Sequence, residues 1–149
     1  MTVETPLPAP LAEVVALFAS SPPRDRLELL LDYSQQIPPL PDRFREHPER
    51  LEPVPECQSP LFVAAEVDDE RRVHLFVEAA PEAPTTRGFA GIFHAGLDGL
   101  PADEVLSVPG DVTARLGLAE VVSPLRLRGA TALLARIQRQ VRGHLGDHT

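Results

Sequence analysis

The chain holds one cysteine, Cys57, within Val54-Pro55-Glu56-Cys57-Gln58-Ser59-Pro60. A thiol attacks as its thiolate, and prolines at 55 and 60 stiffen the segment, which favours a thiol presented in a fixed pose at a strand entrance. Free cysteine is also among the most buried residue types, so an inert packing role is the competing reading. Glu56 disfavours the thiolate by like-charge repulsion, and residues 58–67 contain no basic side chain. Activating positive charge must therefore come from elsewhere in the fold or from a partner. A lone thiol forms no internal disulfide and cannot hold a zinc ion or an iron–sulfur cluster on cysteines alone.

Composition narrows the chemistry further. All 14 basic side chains are arginine. Without lysine the chain forms no Schiff base with pyridoxal phosphate and has no phosphate-loop lysine. Twenty-two carboxylates against those arginines leave a net charge of −8, which opposes binding to nucleic acid or an anionic membrane. No run of about 20 apolar residues is present and the first ten residues do not read as a leader, so a cytoplasmic protein with a reduced thiol is expected. A length of 149 residues, 43% apolar, fits one domain over 1–149, with residues 1–10 and 146–149 as flexible tails.

The histidines offer little chemistry. His74 and His94 are the nearest bases for a cysteine hydrolase, but neither has a spacing signature, and the chain has no asparagine to orient one. His94 reads as a hydrogen-bonded core residue. His144 and His148 lack a third ligand beyond Asp147 and read as a solvated tail, so no metal site is expected.

Twelve of the 17 prolines lie in the first 60 residues and divide short helices. Leu11 to Ala19 is apolar and stops at Pro22-Pro23, Arg24 to Gln36 has helical periodicity, and Asp42 to Glu46 allows one more turn. Pro48, Pro53, Pro55 and Pro60 then permit only extended or turn backbone. From Leu61 the pattern alternates through Val63, Ala65 and Val67. After Asp68-Asp69-Glu70 it resumes at Val73, Leu75 and Val77, as a hairpin with one face toward a core. Thr86 to Leu97 returns to helical spacing and reads as largely buried, and shorter helices begin near Pro101 and Gly110-Asp111. Leu133, Leu134, Ile137, Val141 and Leu145 form the stripe of a last helix, with Arg136, Arg139 and Arg142 toward solvent. These elements predict an α+β fold: a small antiparallel sheet of about three strands, with helices before and after it packed on one side.

Taken in order, Leu30-Leu31-Asp32-Tyr33, Leu40-Pro41, Val54 to Ser59, Arg87-Gly88, Leu116 to Leu118 and Ser123 to Gly129 resemble the SufE family of sulfur-acceptor proteins. The resemblance covers roughly residues 20–145 and implies a fold related to that of U-type cluster scaffolds. It also implies a role: Cys57 accepts persulfide sulfur from a SufS-like cysteine desulfurase, stimulates that enzyme, and passes sulfur to a SufBCD-like assembly scaffold. The chain would not be a stand-alone enzyme, would bind no cofactor, would leave pyridoxal phosphate on the desulfurase, and could form a homodimer. Glu56, Gln58, Ser59, Arg87 and Arg126 would support the loop or meet the partner.

Three positions depart from the family pattern. Glu56 replaces a common glycine and removes backbone freedom beside the thiol. Ala80-Pro81-Glu82 keeps one carboxylate of an acidic pair, and Arg128 replaces a common asparagine. Two further readings stand beside the acceptor: a desulfurase-binding activator without acceptor activity, and the cysteine hydrolase. A U-type iron scaffold would need about three cysteines. The five arginines after residue 120, with one carboxylate, make either a solvated helix face or a dock for an acidic partner patch.

Overall fold

The computed structural model describes residues 6–146. The chain runs α1 (Ala9–Ser20), α2 (Pro23–Ser34), α3 (Asp42–Glu46), β1 (Glu52–Pro53), β2 (Leu61–Val67), β3 (Val73–Ala79), α4 (Pro84–Leu97), α5 (Ala102–Leu106), α6 (Val112–Arg115) and α7 (Pro124–Gly146). The sheet is antiparallel in the order β1-β2-β3, which is the expected α+β architecture. Ala9 and Pro10 already belong to α1, so they are not part of a flexible tail, and Gly146 closes α7. The rest of the tail assignment, residues 1–5 and 147–149 with His148, lies outside the described residues. His144 sits half-buried in the last turn of α7 rather than in a solvated tail. No helix among the described residues is long and apolar enough to cross a membrane.

Alternation along the hairpin sends Leu61, Val63, Ala65, Val73, Leu75 and Val77 to one face, where α4 and α7 cover them. The opposite face is not bare. Phe62, Ala64 and Phe76 meet Phe44 of α3 there, with Phe44 and Phe76 ring centroids 4.8 Å apart. Arg43 closes this small cluster: it stacks over both rings and pairs with Glu66 through two bonds of 2.6 and 2.7 Å. The alternating apolar pattern identifies only the first face, because Phe62 and Phe76 are the positions between its members.

Helix α4 is buried on two sides. Phe89, Ile92 and Phe93 join the main core, while small residues let α1 and α2 approach closely from the other direction. At Gly91 a Cβ would stand 2.0 Å from the Tyr33 carbonyl oxygen, and at Gly96 it would stand 2.7 Å from Leu11. This contact stacks Tyr33 on Phe18, centroids 5.8 Å apart. A methyl at Gly91 meets backbone, which cannot rotate away. Gly91→Ala is therefore expected to cost about 2–3 kcal/mol, read as a lower urea midpoint with unchanged slope. Stability within about 0.5 kcal/mol of wild type would mean that the two helices pack less tightly than described.

Candidate functional site

Cys57 ends a single 3-10 turn, Pro55–Cys57, on the connection from β1 to β2, residues 54–60. The connection is pinned at its base, where Val54 N donates to Leu61 O at 2.9 Å, extending the β1-β2 pairing. Pro53 fits the edge strand because no ladder partner needs its missing N–H. Within the turn Cys57 N donates to Val54 O at 3.2 Å and Gln58 N to Pro55 O at 3.1 Å. The chain then reverses through Gln58, whose φ of 58° is left-handed, a conformation that glycine adopts with less strain.

The side chain of Cys57 points inward. It is 6% exposed, so the thiol is buried rather than presented as the flanking prolines suggest. Its surroundings are Leu61, Thr86, Phe89, Arg126, Ala130 and Leu133, which enclose a cavity of about 10 Å³, room for about one atom the size of a water molecule. Helix α7 closes this cavity at Gly129. A Cβ there would lie 2.9 Å from Sγ and 3.0 Å from Cα of Cys57, so only glycine permits the approach.

Arg126 roofs the cavity. Its Nη1 donates to Ser59 Oγ at 3.0 Å and to Thr86 Oγ1 at 3.3 Å, and it lies 3.5 Å from the Cys57 carbonyl oxygen. One guanidinium thus ties α7, the start of α4 and the Cys57 loop together. Burial pushes the Cys57 thiol up from its ordinary 9.0 to about 11, and the Glu56 carboxylate adds to this. Arg126 and Arg136 pull the other way without prevailing. In this conformation the thiol is protonated at neutral pH and has little nucleophilic power.

Glu56 is exposed and paired, with Nη1 of Arg136 3.0 Å from its carboxylate. Arg136 therefore does not follow the solvent side of α7 as its spacing suggests: its side chain is 20% exposed and also binds Glu52. Ser59 is held by Arg126, and Gln58 is an exposed turn residue. The structure does not bring Arg87 into the cavity. Its Nη1 donates to Ala79 O at 2.7 Å, closing the end of β3, while its neighbour Thr86 lines the thiol pocket. Thr86, Gly129 and Arg136 escape sequence reasoning, since each acts through a long-range contact that local spacing does not encode.

Among the described residues no Cys–His pair forms. His74 faces Glu66 across the sheet at the turn end of the hairpin, whereas Leu61, beside Cys57, is at the other end. His74 Nε2 lies 2.7 Å from Asp68, and His94 is 3.9 Å from Asp98 rather than hydrogen-bonded in the core. Among the described residues no group of three or more His, Cys, Asp or Glu is placed to hold a metal ion.

Residues 12–141 match SufE, the Fe-S metabolism associated domain. The chain is 54% identical over 142 residues to an uncharacterised SufE-like protein of Mycobacterium tuberculosis, spanning 95% of this chain and 98% of that one. It is 33% identical over 135 residues to SufE-like protein 1, chloroplastic/mitochondrial, of Arabidopsis thaliana, covering 90% of this chain but 35% of the longer plant protein. The solution structure of a hypothetical protein from Thermus thermophilus superposes with a TM-score of 0.83 at 40% identity, over 95% of this chain and 99% of that one. With the family match running from α1 to α7 and these relatives along nearly its whole length, the chain belongs to the SufE family, associated with iron–sulfur metabolism.

Proposed function

We propose that the protein is a sulfur acceptor that works beside a pyridoxal-phosphate-dependent cysteine desulfurase, with Cys57 as the atom that receives sulfur. The observation that carries this reading is one thiol in a cavity one atom wide, beneath a loop pinned by Arg126, in a chain of the SufE family. In the transfer, the Cys57 thiolate attacks the outer sulfur of a persulfide on the desulfurase. One sulfur–sulfur bond forms as the donor's breaks, the donor cysteine leaves as a thiolate, and the proton of Cys57 passes to solvent. Nothing is oxidised or reduced overall. A second nearby thiol would attack the product and release sulfide, so one cysteine suits the task.

The buried thiol is then a protected state. Docking on the desulfurase swings the loop outward between its fixed ends at Val54 and Pro60, exposes Sγ to water and to partner charge, and lowers its pKa toward the ordinary value. Retraction shelters the acquired sulfur from reductants until a cluster-assembly scaffold takes it. The chain stimulates the desulfurase by clearing its persulfide, and it works in a compartment that keeps thiols reduced.

Two measurements test this. Incubated with desulfurase, pyridoxal phosphate and cysteine, the wild type gains about 32 Da by intact mass, one sulfur on the thiolate, and Cys57→Ser gains nothing. An unchanged wild-type mass beside an accelerated desulfurase would sink the acceptor and leave an activator that only binds. The second measurement concerns pH. Because the thiol is held at about 11 in the folded state against 9.0 ordinarily, the folded protein retains its proton where the unfolded chain loses it. That contribution is complete below pH 9 and disappears as pH rises through about 11. Wild type therefore loses stability relative to Cys57→Ala between about pH 9 and about pH 11, measured as urea midpoints. Parallel pH curves for the two proteins would contradict a buried, protonated thiol.

A further inference from the structure

Arg136 stands between two carboxylates from opposite ends of one short segment. Its Nε lies 3.1 Å from Glu52 on β1, and its Nη1 lies 3.0 Å from Glu56, the residue before Cys57. Glu52 is fixed in turn: Arg139 pairs with the same oxygen, and Gln140 Nε2 donates to the other at 2.9 Å. Gln140 is anchored on the central strand, where its Oε1 accepts from Ala65 N at 2.7 Å. Burial raises the Glu52 carboxyl, but its bonds to Arg139 and Gln140 outweigh that and hold it below the usual range. The carboxyl of Glu56 is held low by its own backbone N–H and by Arg136. Helix α7, β1 and β2 are therefore a rigid base, and of these two carboxylates Glu56 is the one that would leave with the loop.

We propose that the Glu56–Arg136 ion pair is a latch that holds the Cys57 loop closed over its cavity. The inference rests on the acceptor reading for its purpose, since a loop that must open to deliver its thiol needs a device that sets how often it opens. Both are positioning residues: they govern the exposure of Cys57 and take no part in bond exchange. A glycine at position 56 would leave Arg136 bound to Glu52 alone and the loop without this tie. The pair is partly exposed, with side chains 20% and 46% accessible, so its strength is that of a screened surface pair.

The sign of one substitution separates a latch from a purely electrostatic role. As a nearby cation Arg136 favours the Cys57 thiolate, so its removal would slow attack by Cys57 if charge were all that mattered. As a latch it suppresses exposure, so its removal speeds attack. In iodoacetamide labelling of the full-length protein at pH 8, Arg136→Met, which keeps the apolar stem, is expected to label Cys57 about two- to five-fold faster than wild type. Arg136→Lys keeps the charge without the fork that spans two carboxylates, and is expected to fall between the two. Glu56→Gln is also expected to label faster, and adding it to Arg136→Met should give less than the product of the single effects. An Arg136→Met rate equal to or below wild type overturns the latch. So does an increase no greater than urea produces in wild type at the same loss of global stability. If no variant and no wild type gains sulfur from the desulfurase, the acceptor reading falls, while the labelling rates still decide the latch.

Discussion

Helix α7 lies on the Cys57 loop at a distance that only a missing Cβ allows, and much of the site follows from that approach at Gly129. Because the helix is that close, Leu133 and Ala130 can line the thiol cavity and Arg126 can reach across to Ser59 and Thr86. The same helix continues along β2, where Gln140 enters the ladder at Ala65 and Val63. One rigid rod of 23 residues thus joins the sheet, the loop and the start of α4. Moving it outward by the width of a methyl group would loosen all three contacts together, since packed interiors yield little to local strain.

Protection and reactivity make opposite demands on the thiol. Burial raises its pKa and silences it, while the proposed transfer needs the thiolate in contact with another protein's sulfur. A cavity wall of Leu61, Phe89 and Leu133 serves the first demand. Arg126 is compatible with both, because its charge lies over the loop backbone yet its shorter hydrogen bonds go to hydroxyls, which water can replace at small cost. Glu56 and Arg136 add a tie whose strength depends on ionic strength. The loop is thus held by several weak polar contacts around an apolar seat, an arrangement suited to opening without unfolding the rest.

The sequence reveals the hairpin, the long C-terminal helix and the buried central helix, because each carries a periodic apolar pattern longer than one turn. It also singles out Cys57, by rarity and by its neighbours. What it hides are contacts between distant segments. Arg136 reads as a solvent-facing residue on a helical wheel, and only the proximity of Glu52 and Glu56, 84 and 80 positions away, turns it inward. Arg87 stands in a motif and yet serves the end of β3, while Thr86 beside it takes the place at the thiol. Phe62 and Phe76 occupy the positions that an alternating strand assigns to solvent, and their burial depends on Phe44, from a segment whose prolines give no strong signal.

The connection that carries Cys57 is short at its roots. With Val54 bonded to Leu61 and the Pro60 carbonyl accepting from Ala80 N, the arc between them holds only residues 55–59, and an arc of that length, drawn out fully, extends about 10 Å from its base. The thiol is therefore on a tether, not a long arm. If Cys57 accepts sulfur as proposed, the donor must bring its sulfur to within that radius, so the shape of the docking surfaces, more than the swing of the loop, would govern which proteins can exchange sulfur with it.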